Sequence, residues 1–410
     1  MPLVLPPAVD PVLDGLSRWP DVGADLVAVD AADRLLLAEA APLLATCGPG
    51  EVVVIDDAYG ALALGAVALG ARDVRVHTDA VTSERAILAN AARLDGVPRP
   101  GDPATRATSL PGAEGRDMPA LLPELRVEPA LTPSVVGGAR LVLARLPRAL
   151  DALAEQAALV ADHAAADVTF LATGRLKHMT RSMNEVLASR FDDVRATLAH
   201  GKSRALVARS PRPAPAGAVP FPRSVHHGDV GLDVVAHGAA FAGTSLDIGT
   251  RFLLTFLDDV AADLPEGGTG LDLGCGTGLL ASAVARAVPS ARVVATDRSA
   301  AAVASAALTA RANGVGDRVE VLRDDVAASV PDASVDVVVC NPPFHAGAAI
   351  STDIASAMFR AAARVLRPGG VLWTVYNTPL RYRGELGRVV GPTTHAGQNP
   401  KFTVTRSVRG

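Results

Sequence analysis

One pattern of alternation runs through this chain twice. Glu51-Val52-Val53-Val54-Ile55 reads as a short buried strand that runs into Asp56-Asp57-Ala58-Tyr59-Gly60, then an apolar helix from Ala61 to Ala68, then a strand at Val74-Arg75-Val76-His77 closing at Asp79. Beyond Gly270 the order recurs: a short strand, the turn Asp272-Leu273-Gly274-Cys275-Gly276-Thr277-Gly278, a helix over 279–288, and a strand ending at Thr296-Asp297. Gly60 and Asp79 are 19 positions apart, as are Gly278 and Asp297. Short apolar strands separated by helices require a parallel sheet, because parallel neighbours need a crossover and the crossover helices cover both faces. The expected fold class is therefore α/β, with two doubly wound, mostly parallel sheets in tandem.

The rest of the chain fits two domains. A length of 410 residues exceeds one ordinary core. The Pro-rich run Ser210-Pro211-Arg212-Pro213-Ala214-Pro215-Ala216-Gly217 suits an extended linker. The expected division is 1–209, a linker over 210–222, and 223–410. In the first part, a short helix follows Asp30-Ala31-Ala32-Asp33-Arg34, and a second runs from Ser83 to Leu94 with Ser83 as N-cap. Residues 97–134, dense in Pro and Gly, read mostly as an irregular insertion. A strand at 141–146, a helix over 149–165 and a strand at 168–171 follow. In the second part, 221–240 reads as a β-containing lead-in and Phe252 to Ala261 as a helix.

Composition narrows the function. With 49% hydrophobic and 20% charged residues the chain is globular. No apolar run reaches the roughly 18 residues of a membrane span, and the first residues lack a basic signal-peptide region. A soluble cytoplasmic protein is expected. Cys47, Cys275 and Cys340 have neither metal nor disulfide spacing, so no metal is expected. A net charge of −4 means that any nucleic-acid contact must use local basic patches. The best candidate is the stretch 175–181 with Lys177 and Arg181, joined by Lys202 and Arg204. Arg381, Arg383, Lys401, Arg406 and Arg409 make a second.

The chemistry concentrates in the second part. Val335-Asp336-Val337-Val338-Val339 reads as a buried strand, and Cys340-Asn341-Pro342-Pro343-Phe344 sits where it ends. The carboxyl edge of a parallel sheet is where such folds bind ligands. Asn341 has a side-chain carbonyl that accepts and an amide that donates. Two prolines remove backbone donors, and Phe344 offers a flat apolar face. A planar molecule bearing an NH2 group suits this set. Upstream, Gly274, Gly276 and Gly278 let a ligand approach the backbone. Three acidic positions lie at strand ends: Asp272, Asp297, and the pair Asp324-Asp325. Asp297 can accept from two ribose hydroxyls, and an acid at 324–325 from an adenine amino group. Together they point to a nucleoside ligand.

The turn 272–278 resembles the S-adenosylmethionine motif of class I methyltransferases, and Asn341-Pro342-Pro343-Phe344 resembles the motif of those that methylate amino nitrogens. With His345 following, the chain is similar to the tandem-domain ribosomal RNA guanine-N2 methyltransferases, in which a catalytic Rossmann-like domain follows a degenerate one. The stretches 30–33, 57–62, 246–252 and 401–404 make it more similar to the large-subunit members than to the small-subunit ones. The resemblance implies S-adenosylmethionine as cofactor, held by Asp272, Gly274, Cys275, Gly276, Gly278, Asp297, Arg298, Asp324, Asp325, Asn341 and Thr250, with Phe241 and Thr250 closing the pocket. It implies Asn341, Pro342, Pro343 and Phe344 as the catalytic set acting on guanine N2, and ribosomal RNA as partner. Val54 stands at the position of Asp272, Asp56 at that of Gly274, and Leu146-Pro147-Arg148 where an Asn-Pro-Pro-Phe would fall. The first domain thus reads as degenerate and as a candidate for RNA recognition. The competing readings are a small-subunit rRNA guanine-N2 methyltransferase, a protein glutamine-N5 methyltransferase, and a non-catalytic RNA-binding assembly factor.

Overall fold

The computed structural model describes residues 5–18, 27–96, 120–343 and 348–410, with the backbone alone for 348–352. The chain forms two compact units, Met1–Val219 and Pro220–Gly410.

The first unit contains α1 (Asp10–Asp14), α2 (Ala31–Leu44), β1 (Val52–Ile55), α3 (Ala61–Ala68), β2 (Val74–His77), α4 (Val81–Leu94), β3 (Leu125–Glu128), α5 (Pro133–Val136), β4 (Leu141–Arg145), α6 (Leu150–His163), β5 (Thr169–Arg175), α7 (Arg181–Ala188), β6 (Phe191–Ala196) and β7 (Ser203–Pro211). The second contains β8 (Arg223–His227), β9 (Leu232–Ala236), α8 (Ile248–Leu254), α9 (Leu257–Asp263), β10 (Thr269–Leu273), α10 (Leu279–Ala287), β11 (Arg292–Asp297), α11 (Ala300–Ala312), β12 (Val319–Arg323), β13 (Val335–Cys340), α12 (Ala348–Val365), β14 (Leu366–Asn377), α13 (Arg383–Val389), β15 (Thr393–Gln398) and β16 (Phe402–Val408).

The two main sheets have one topology. Their strand orders are β3-β2-β1-β4-β5-β7-β6 and β12-β11-β10-β13-β14-β16-β15. In each, the first five strands pair in parallel and the last two pairings, β5-β7-β6 and β14-β16-β15, are antiparallel. The strand order reverses between β1 and β4, and between β10 and β13, which opens a crevice at the carboxyl edge. The apolar runs are buried on both faces because helices cover both. Val52 and Val54 belong to one core cluster while Val53 and Ile55 belong to another. Likewise Val337 and Val339 face one core, and Val338 and Cys340 the opposite one.

Four elements differ from the sequence expectation. The helix after Asp30 is not short: it starts at Ala31, where Asp30 and Asp33 form a reciprocal capping box, and runs through Pro42 to Leu44. Ser83 is not an N-cap; α4 begins two residues earlier, after Ala80. Residues 120–134 hold β3, which pairs with β2 in parallel; the expectation of an irregular insertion missed a four-residue edge strand too short to announce itself. Residues 97–119 of that segment lie outside the described residues. The helix expected over 252–261 is two helices, and the first starts at Ile248 because the Asp247 carboxylate accepts from the Thr250 amide and caps it.

Candidate active site

The carboxyl edge of the second sheet assembles from three strand ends. Register pairs Leu273 with Cys340 and with Thr296, so the Gly turn after β10 lies between Asn341 and Asp297. The turn is pinned to β11, where Thr296 O accepts from the amides of Gly274 and Cys275, both at 2.9 Å.

Its three glycines, all at positive φ, answer different demands. A Cβ on Gly278 would lie 2.6 Å from Ala306 Cβ, so this glycine lets α10 pack against α11. A Cβ on Gly274 would meet Met358 Cε at 2.8 Å. At Gly276 a Cβ would meet nothing within 4 Å among the described residues, so its backbone borders open space there.

The acids divide in the same way. Asp272 is buried, and its Oδ2 accepts from the Ala281 amide at 2.9 Å, in the first turn of α10. Burial, with the Asp297 charge adding to it, pushes its carboxyl up to about 7. Asp297 is half-buried at the mouth; its Oδ2 accepts from Gly276 N at 3.0 Å and its Oδ1 from Ser299 N at 2.9 Å. Asp324 turns inward. It accepts from Asp325 N at 2.8 Å, Ser329 N at 2.6 Å and Ser329 Oγ at 2.7 Å. Asp325 is half-buried, ahead of Val326 and Ala327, which both adopt left-handed backbone. Non-glycine residues rarely hold that conformation, least of all a β-branched one; the bonds from Asp324 tie down this turn at the crevice edge. Burial raises the Cys275 thiol well above its ordinary range, and the Asp272 and Asp297 charges raise it further, so it stays protonated. Arg298 and Phe241 are exposed, Phe241 at 62%.

Asn341 follows β13 directly. Its Nδ2 donates to Asp247 Oδ2 at 2.9 Å and Thr250 Oγ1 at 3.0 Å. Among the described residues its buried Oδ1 has no hydrogen-bond partner. A carboxylate only accepts, so Asp247 fixes which end of the amide points where. An orphaned buried acceptor costs roughly 1–3 kcal/mol unless something supplies a donor. Pro342 is buried and Pro343 exposed; Phe344 and His345 lie outside the described residues. Sequence reading placed Thr250 here but missed Asp247. Its signal was an acid just before a helix, which ordinarily means no more than a cap.

The first unit keeps the geometry of this edge and closes it with its own side chains. Asp56 holds positive φ, as Gly274 does in the second unit, and its carboxylate accepts from Gln156 Nε2 and the Asp79 amide. Asp57 Oδ2 accepts from Leu62 N and Ala63 N, and its Oδ1 from Gly60 N. Ala63 stands three residues past Gly60, as Ala281 does past Gly278, so a loop carboxylate serves here as the strand carboxylate Asp272 serves there. Burial raises both carboxyls, Asp56 to about 6. The stretch 30–33 is also structural: Arg145, at the end of β4, pairs with Asp30 and Asp33.

The expected basic residues come together at that edge. β5 and β7 place Arg175 opposite Ser203 and Gly174 opposite Arg204, and Leu176 N donates to Lys202 O at 2.9 Å. Arg148, Arg175 and His178 line a cavity of about 250 Å³ whose apolar wall includes Leu146, Pro147 and Met179. Partial desolvation and the charges of Lys177, Arg148 and Arg175 hold His178 below the usual imidazole range. Among the described residues Arg148, Arg175, Lys177 and Arg181 have no acidic partner. In the second patch, Arg406 is spent on Asp263, which it meets through Nε at 2.7 Å and Nη2 at 2.6 Å.

Residues 231–406 match the methyltransferase small domain family, and residues 13–112 and 125–212 match the RLMG N-terminal domain family. The ribosomal RNA large subunit methyltransferase G of Pseudomonas putida is 33% identical over 409 residues, covering 99% of this chain and 100% of that protein. The protein of the same name from Streptomyces coelicolor is 34% identical over 403 residues, covering 96% and 97%. Among solved structures, the T. thermophilus 16S rRNA N2 methyltransferase, determined with AdoMet and guanosine, has a TM-score of 0.66 at 21% identity, covering 93% of this chain and 92% of that one. That likeness extends the shared fold across both units.

Proposed function

We propose a target and a mode of catalysis for this chain, which belongs to the ribosomal RNA large subunit methyltransferase G family. It transfers a methyl group from S-adenosylmethionine to the exocyclic N2 of a guanine in large-subunit ribosomal RNA, in the cytoplasm, where ribosomes are assembled.

The residues present fit the methyl donor. The open space over Gly276 is a cradle that a Cβ would fill. Asp297, half-buried beside it, would hold ribose hydroxyls. Asp325 is better placed than Asp324 for an adenine amino group, since Asp324 is bonded within its own loop. Asp272 supports the turn from beneath, through α10. When bound, S-adenosylmethionine supplies an electrophilic methyl group.

One observation carries the acceptor side: an asparagine amide whose nitrogen is held by Asp247 and Thr250 and whose oxygen, among the described residues, is unpartnered. A guanine amino nitrogen is a poor nucleophile because its lone pair is shared with the ring. Asn341 Oδ1, with the Pro342 carbonyl as a second acceptor, takes its two N–H bonds and turns the lone pair toward the methyl donor. Phe344 stacks on the base. Positioning of this kind supplies most of the acceleration, and no strong base is needed because the proton becomes acidic as the C–N bond forms. The base must be unstacked to reach such a site.

The first unit presents the RNA. Its cationic edge, with Arg148, Arg175, Lys177, Arg181, Lys202 and Arg204, offers charge to phosphates, and its carboxylate-filled loop leaves no cradle for a second cofactor.

Labelled methyl transfer from S-adenosylmethionine to stripped large-subunit rRNA, stripped small-subunit rRNA and a release factor tests the reading. Label is expected in large-subunit RNA, on N2 of guanine, and is lost in Asn341→Ala while cofactor affinity persists. Label on a glutamine, or on no RNA, would refute it.

A further inference from the structure

Asn341 can serve as acceptor in only one of its two amide orientations. A half-turn about Cβ–Cγ would put two N–H donors where Oδ1 now lies, facing an incoming NH2 group. Nothing in the covalent structure of asparagine prefers one orientation, so a neighbour must choose.

Two neighbours touch the amide nitrogen. Thr250 Oγ1, at 3.0 Å, can donate or accept and tolerates either orientation. Asp247 Oδ2, at 2.9 Å, only accepts, and so demands the nitrogen. The same Asp247 oxygen accepts from the Thr250 amide at 3.1 Å, which anchors it to the first turn of α8. Gly249 keeps this corner clear: a Cβ there would lie 3.1 Å from both Asp247 Oδ2 and Asn341 Oδ1, and 3.3 Å from Phe402 Cε1.

We propose that Asp247 is a positioning residue for methyl transfer: capped onto α8, it locks the Asn341 amide so that Oδ1 alone faces the acceptor amino group. This rests on the role assigned to Asn341 above. In this role Asp247 acts through Asn341, whose amide nitrogen it holds.

Two substitutions separate the lock from the helix cap. Asp247→Ser keeps a favoured N-cap side chain but is too short to hold the Asn341 nitrogen. Asp247→Asn keeps one oxygen that can accept from both Thr250 N and Asn341 Nδ2, while losing the charge and putting an NH2 in place of the other oxygen. With large-subunit rRNA as substrate, Asp247→Ser is expected to lower kcat on the order of tenfold or more, with the RNA KM, the S-adenosylmethionine affinity by calorimetry and the melting temperature little changed. Asp247→Asn is expected to recover most of the rate. In an Asn341→Ala background neither substitution should lower further the trace rate seen only in single-turnover assays at high enzyme concentration. If Asp247→Ser fails to fold, the same cycle read with Asp247→Asn, whose smaller loss must likewise vanish without Asn341, still decides. An Asn341→Ala enzyme with full activity would sink the acceptor assignment itself. An inactive Asn341→Ala enzyme with Asp247→Ser at wild-type kcat, or an equal loss from Asp247→Ser with and without Asn341, would overturn the lock alone.

Discussion

Gly276 and Gly278 are two residues apart in one motif, both at positive φ, and alanine at the two positions should fail in opposite ways. At Gly278, alanine must hold φ near +72° and place its Cβ 2.6 Å from Ala306 Cβ and 2.8 Å from Ala306 Cα. The left-handed backbone costs ~1–2 kcal/mol. Crowding that forces α10 from α11 costs ~1–3 kcal/mol more. At roughly 2–4 °C per kcal/mol for a unit of this size, Gly278→Ala should melt on the order of 4–20 °C lower. Gly276 at φ +52° carries the same backbone cost but no clash, so Gly276→Ala should melt only about 2–8 °C lower. Its Cβ instead enters the cradle proposed for the cofactor. Scanning calorimetry of the full chain with and without S-adenosylmethionine reads both effects. Saturating ligand at about a hundred times its Kd raises stability by about 2.7 kcal/mol in any protein that binds it. Gly278→Ala should keep that ligand-induced rise from its lower start, and Gly276→Ala should lose it. If Gly276→Ala retains the rise, or Gly278→Ala melts with the wild type, the division of roles between these glycines is wrong.

Three further outcomes follow. Asp272 has a folded carboxyl raised from 3.8 to about 7, so its contribution to stability is full below pH 4 and is lost as pH rises through 7. Denaturant unfolding should show Asp272→Asn, which can still accept from Ala281 N, losing less stability between pH 5 and pH 7.5 than the wild type; equal losses would refute the shift. Replacing Arg148, Arg175 and Lys177 by glutamine should weaken RNA binding at low salt and flatten its salt dependence by about one unit of slope for each phosphate no longer neutralised, and an unchanged slope would exclude this edge as the RNA surface. Arg145→Met leaves the Asp30 and Asp33 carboxylates without their cation and should cost ~3–5 kcal/mol at neutral pH. Because burial already holds the Asp33 carboxyl up near 6, the deficit in urea unfolding should shrink at pH 5; a deficit that grows on acidification would contradict this.

The doubling of the chain was legible in the sequence because short apolar strands, helices and strand-end acids recur at fixed spacing, and a parallel sheet is the one arrangement that buries such runs on both faces. The Asn-Pro-Pro-Phe segment and the Gly turn were legible for a similar reason: each needs particular residue types at consecutive positions. Edge strand β3 was not, since four residues with ordinary alternation carry little signal. The extent of α2 was missed because Pro42, a residue that ordinarily ends a helix, is accommodated inside it.

What the residues could not determine alone was direction. Three glycines look alike in sequence, yet one admits a helix, one clears a methionine and one faces open space, according to what the fold brings against each. Asp272, Asp297 and Asp324 look like three ligands, yet two are buried and turned onto their own loops. Asn341 announced an acceptor, but only the folded chain decides which end of its amide is already engaged and which is left to accept. That decision comes from Asp247, 94 residues away in sequence and 2.9 Å away in space. Residue type fixes what a side chain can donate or accept; its neighbours across the fold fix which of these it has left to offer.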